Sequence, residues 1–65
     1  MEVFRVHRNT YGVITKNYKQ KQALFRLIGK RDPVATYYEP NVRGKKEQFT
    51  ITAKECDLIN EKLRT

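Results

Sequence analysis

The sequence of 65 residues predicts a small α+β domain with the element order ββαββα, in which an antiparallel or mixed four-stranded sheet carries two helices on one face. Three observations carry this prediction. Apolar and polar residues alternate in the first and fifth elements, and the period changes to that of a helix in the third and sixth. Both helical stretches open on side chains able to cap a helix. Asn, Pro and Gly punctuate the segments between elements. A chain of this length has room for one core, so residues 1–65 are read as a single domain.

In chain order, Val3 to Arg8 reads as the first strand, with Phe4 and Val6 as its inward phase and Val3, Arg5 and His7 outward. A turn around Asn9 to Gly12 leads into a second strand over Tyr11 to Thr15, and Gly12 is assigned to that turn. Asn17 with Gln20 makes a capping-box-like start for a helix over Tyr18 to Ile28, and Gly29 is its C-terminal cap. Leu24, Leu27 and Ile28 share the inner face of this helix, flanked by Phe25 and Lys21. The Lys21 stem is expected along the apolar edge with its ammonium in water, while Lys19, Gln22, Arg26 and Lys30 face out. Asp32-Pro33 breaks the chain before a third strand over Val34 to Tyr38. Pro40, Asn41 and Gly44 mark a loop, and Gln48 to Ile51 alternates as a fourth strand. Thr52 and Glu55 form a capping box for a last helix to about Arg64, with Ile51 stapled to Cys56. The expected core is Phe4, Val6, Leu24, Ile28, Phe49, Ile51, Ile59 and Leu63.

Fourteen Lys and Arg against seven Asp and Glu leave a net charge of +7, and its distribution is uneven. Residues 1–31 hold Arg5, Arg8, Lys16, Lys19, Lys21, Arg26, Lys30 and Arg31 against Glu2 alone, whereas residues 32–65 balance. Lys and Arg gain affinity for a phosphate backbone by displacing its condensed counterions. The candidate nucleic-acid-binding residues are therefore Arg5, His7, Arg8, Lys16, Lys19, Arg26, Lys30, Arg31, Arg43, Lys45 and Lys46. Tyr11, Tyr18, Tyr37 and Tyr38 are available for stacking or for phosphate hydrogen bonds.

Most catalytic chemistries lack their residues here. The chain has no serine, so a serine nucleophile is excluded. Its single thiol, Cys56, lies on the apolar stripe of the last helix, where a free cysteine packs as a small hydrophobe. With one Cys and one His, neither an intrachain disulfide nor a soft-ligand zinc site can be assembled in a monomer. Gly12, Gly29 and Gly44 are dispersed and form no phosphate-cradling loop. Glu55, Asp57 and Glu61 fit capping and solvation better than acid–base work.

The reading is of a non-enzymatic protein with no catalytic residues, metal or cofactor. No apolar run approaches the roughly 18 residues of a membrane span. The N-terminus lacks the apolar centre of a secretory signal, and a cytoplasmic location with no membrane partner is expected. The expected function is nucleic-acid binding, DNA before RNA, as an accessory or regulatory protein acting as monomer or homodimer. The alternative is a small adaptor or inhibitor, from a mobile element, that docks on an acidic surface of a larger protein machine.

Overall fold

The computed structural model describes residues 1–38 and 45–64. In chain order it forms β1 (Glu2–His7), β2 (Thr10–Thr15), α1 (Tyr18–Ile28), β3 (Ala35–Tyr38), β4 (Lys45–Thr52) and α2 (Ala53–Arg64). The strands make one sheet in the order β1-β2-β4-β3, and every neighbouring pair is antiparallel. The predicted α+β class and ββαββα order are borne out, and the sheet is the antiparallel of the two types expected. The turn residues Pro40, Asn41 and Gly44 lie outside the described residues.

Local chemistry sets the helix ends. The Asn17 side chain accepts the Gln20 N–H at 2.9 Å, and the Gln20 carboxamide oxygen accepts the Lys16 N–H at 2.8 Å. One orphan N–H in the first turn of α1, and one just ahead of its N-cap, are thereby satisfied. At the other end Gly29 takes φ +91° and donates its N–H to the Phe25 carbonyl at 2.9 Å. No neighbour lies within 4 Å of where a Cβ would stand, so the backbone angle alone calls for glycine there. α2 opens on the full reciprocal box. The Thr52 N–H donates to Glu55 Oε1 at 2.9 Å, and the Glu55 N–H donates to the Thr52 hydroxyl at 3.2 Å.

The register decides which side chains meet the helices. Val13 lies opposite Phe49, Tyr11 opposite Ile51 and Thr15 opposite Glu47, and this phase is the one covered. Val13, Phe49 and Ile51 join Leu24 of α1 and Cys56 and Ile59 of α2 in one buried cluster. Phe25 meets Phe49 edge-on, with centroids 5.3 Å apart at 81°, an arrangement that adds about 1 kcal/mol beyond burial. Met1, Val3, Tyr11, Leu27 and Ile28 close the margins.

Three expected core residues neither belong to the cluster nor close its margins. Phe4 pairs with Gly12 and so falls on the face away from the helices, 37% exposed, while Val3, opposite Val13, takes the inner position. Val6 is 56% exposed at an irregularity of β1, where the register slips between Arg5 and His7. An extra residue there breaks the two-residue period that would have set its side. Leu63, 57% exposed, lies in the last turn of α2 beyond the buried stripe of Cys56 and Ile59. Gly12 is not a turn residue either: it sits inside β2, between Phe4 and Thr50.

Candidate nucleic-acid interface

The cations fall into groups with different surroundings. At the β1–β2 turn, Arg5 folds back and donates from Nε to the His7 carbonyl at 3.3 Å and from Nη2 to the Arg8 carbonyl at 3.4 Å. His7 Nδ1 accepts the Arg8 N–H at 2.9 Å, which puts the lone pair on Nδ1 and leaves Nε2 facing outward as the donor. Arg5, His7 and Arg8 are all exposed, and together they build a self-bonded basic turn.

Along α1, Lys19 and Arg26 are exposed, as is Lys30 just beyond it. Tyr18, Lys21, Gln22 and Phe25 recur at helical spacing, and with Arg26 and Lys30 they line an open cleft of about 450 Å³. Tyr18 is held across its rim by a hydrogen bond from Gln22 Nε2 to its hydroxyl at 2.9 Å. The cleft combines cations with aromatic rings on a single helix flank.

Within that cleft Lys21 keeps a quarter of its side chain exposed, and its ammonium reaches Glu47 Oε1 at 3.2 Å and lies 5.8 Å from the centre of the Phe25 ring. Glu47 is 5% exposed on the inner face of β4. A carboxylate buried to that extent requires a partner, because desolvating a lone charge costs several kcal/mol. The sequence reading overlooked Glu47, and the signal for it was Lys21 itself, a cation on the apolar edge of α1.

Arg31 is engaged through both terminal nitrogens. Nη1 donates to Glu55 Oε1 at 2.9 Å and to the Thr50 carbonyl at 3.1 Å, while Nη2 donates to Glu55 Oε2 at 2.5 Å and to the Ile28 carbonyl at 2.7 Å. One guanidinium thus ties the C-terminus of α1, strand β4 and the N-terminus of α2. The hydrogen bonds from Arg31 hold the Glu55 carboxyl below the usual carboxylate range, outweighing partial burial, with the Thr52 N–H adding to the effect. The same hydrogen bonds raise Arg31 above the usual arginine value.

At the end of the sheet where β4 begins, Tyr37 pairs with Lys46 and Tyr38 with Lys45. Lys16 follows Thr15, and Lys46 precedes Glu47, so both flank the Thr15–Glu47 pair. Lys16 and Lys45 are exposed and Lys46 is half-buried. Arg43 lies outside the described residues. The structure therefore brings together Arg26 and Lys30 on α1, and Lys16, Lys45 and Lys46 at one end of the sheet. The basic turn of β1–β2 lies at the other end, beside the Thr10–Thr52 pair.

Cys56 is 6% exposed, and its Sγ accepts from Asn60 Nδ2 at 3.6 Å. Among the described residues no three His, Cys, Asp or Glu side chains are grouped to hold a metal, and no helix is long and apolar enough to cross a membrane. Comparison of the chain with family models, with curated proteins and with solved structures returned no match.

Proposed function

We propose that this chain is a small non-enzymatic nucleic-acid-binding protein of the cytoplasm, with DNA as its first expected target and an accessory or regulatory role. The observation that carries this reading is the cleft along α1, where Arg26 and Lys30 share a surface with Tyr18, Lys21, Gln22 and Phe25. Cations neutralise phosphates there, and aromatic rings offer stacking or hydroxyl contacts to the same strand. Each of Tyr18, Tyr37 and Tyr38 has a cation as lining neighbour or cross-strand partner, the interleaving that suits a polyanion with bases.

The test is a fluorescence-anisotropy titration of labelled duplex DNA, single-stranded DNA and RNA at several salt concentrations. The double variant Lys19→Glu, Arg26→Glu runs alongside, with circular dichroism to confirm that it folds. Both residues are exposed, so folding is expected to change by no more than about 0.5 kcal/mol. Binding that falls steeply with salt and weakens at least tenfold in the variant is the expected result. No binding near physiological salt overturns the reading.

A second reading has its own observation. Met1, Ala23, Leu27, Ile59 and Leu63 line a mostly apolar hollow of about 320 Å³ between the helices, with Arg26 and Lys62 beside it. A hollow of that character suits a protein anchor with acidic flanks, as the adaptor alternative requires. The titration separates the two, because an adaptor would leave every nucleic acid unbound.

A further inference from the structure

The face of the sheet turned away from the helices carries chemistry that the α1 cleft does not use. A methyl group built on Gly12 would stand 2.5 Å from Phe4 Cζ, 2.8 Å from Cε2 and 3.1 Å from Cε1. A point in the ring plane beyond Cζ could not come so near both Cε atoms. The tip of the Phe4 ring therefore lies over the glycine with one face against β2, and the residue remains 37% exposed. Gly12 has no positive φ, so what it supplies here is space for this ring.

Farther across the same face, Tyr37 is 48% exposed and donates its hydroxyl to Gln48 Oε1 at 3.2 Å, which fixes the ring's tilt. Its cross-strand neighbour is Lys46, and exposed Lys16 flanks the same end of the sheet. Among the described residues the acidic side chain of this face is Glu2, opposite Ile14 at the N-terminal edge.

We infer that this open face is a second site, one that binds single-stranded nucleic acid by stacking unpaired bases on Phe4 and Tyr37. The inference rests on the nucleic-acid reading above and adds which form of the polymer this face takes. A flat, outward ring face matches the π-face that every base presents once it leaves a duplex, whereas a base-paired stack offers no such face to a sheet. The charges fit the same occupant. Lys16 and Lys46 at the Tyr37 end suit the phosphates, and Glu2 repels them from the β1 edge, so the backbone tracks over β4 and β3. The site is preformed: Phe4 is seated on Gly12, and Tyr37 is held by Gln48.

The experiment titrates one labelled oligonucleotide as single-stranded DNA, as single-stranded RNA and as duplex DNA against the parent chain. Phe4→Leu, Tyr37→Leu and the α1 double variant are compared with it. Leucine at either position keeps an apolar cover and removes the ring. Neither residue belongs to the buried cluster, and melting curves check that each variant folds. The expected result is that each leucine variant loses roughly tenfold in single-strand affinity while duplex affinity changes less than about twofold. In the parent chain, ring protons of Phe4 and Tyr37 should shift upfield on adding single strand but not on adding duplex. Leucine variants that bind single strand as well as the parent, while duplex binding persists, overturn the stacking site and leave the nucleic-acid function standing. Loss of single-strand binding in the α1 variant alone also overturns it. Absence of binding to all three polymers removes both readings together.

Discussion

Beneath the helices, Val13, Phe49 and Ile51 are buried at consecutive positions of the covered phase; on the other face, Phe4, Ile14 and Tyr37 occupy the alternate positions of the same sheet and stay partly open. The covered face holds a buried carboxylate, Glu47, against Lys21 of α1. The open face places its polar groups, Gln48, Thr50 and Lys46, beside aromatic rings. Two aromatic residues make the contrast concrete. Phe49 is enclosed and locked edge-on against Phe25, whereas Phe4 lies over a glycine and stays partly exposed. Burial spends the first ring on stability, and exposure leaves the second free to meet a ligand.

The largest expected effect breaks this contrast at its covered end. Phe49→Ala should cost about 3–5 kcal/mol, close to the whole stability of a domain of this size, and leave the chain unfolded by circular dichroism. Phe4→Ala, by comparison, should cost about 1 kcal/mol, because Phe4 is 37% exposed and lies outside the buried cluster. Equal losses in urea titrations of the two variants would erase the distinction between the faces.

A middle-sized effect sharpens the contrast within the open face. Gly12→Ala forces a methyl group into the Phe4 ring and should destabilise by about 1–3 kcal/mol. Adding Phe4→Ala to it should restore part of that loss, giving a coupling of about 1 kcal/mol in a double-mutant cycle. Additive losses would mean that the ring does not rest on the glycine.

The smallest effect concerns the junction of α1, β4 and α2. Glu55 has a lowered carboxyl value in the folded chain, so its contribution is complete above the ordinary carboxylate value and is lost as pH falls through the lower folded one. Glu55→Gln should lower stability at neutral pH by about 1 kcal/mol and flatten the acid limb of a melting series. A parent chain and variant with parallel acid limbs would contradict the Arg31–Glu55 assignment.

Much of the fold was legible in the sequence because its punctuation is local. Asn17 with Gln20, Gly29, and Thr52 with Glu55 announce helix ends through bonds that span a few residues, and all three devices are present. Which phase of β1 faces inward was not legible. Alternation gives two phases but does not say which is covered, and Phe4 was misplaced because its true partner, Gly12, acts across a strand pair. The site divides in the same way. The outward cations of α1 follow from helical periodicity. The engagement of Arg31 with Glu55, and of Lys21 with Glu47, joins residues distant in sequence and required the tertiary structure.

The insertion of β4 between β2 and β3 also bears on the order in which the chain can acquire its structure. The β1–β2 hairpin and α1 are complete within the first half of the chain, yet Val13 and Leu24 find Phe49, Ile51 and Ile59 only in the second. Thr10 pairs with Thr52, so the sheet's central seam closes over a long loop whose entropy must be overcome before the pairing rewards it. A ribosome-bound chain that has emerged only through α1 would expose that half-built apolar face, and the fold would form in one late step once β4 arrives.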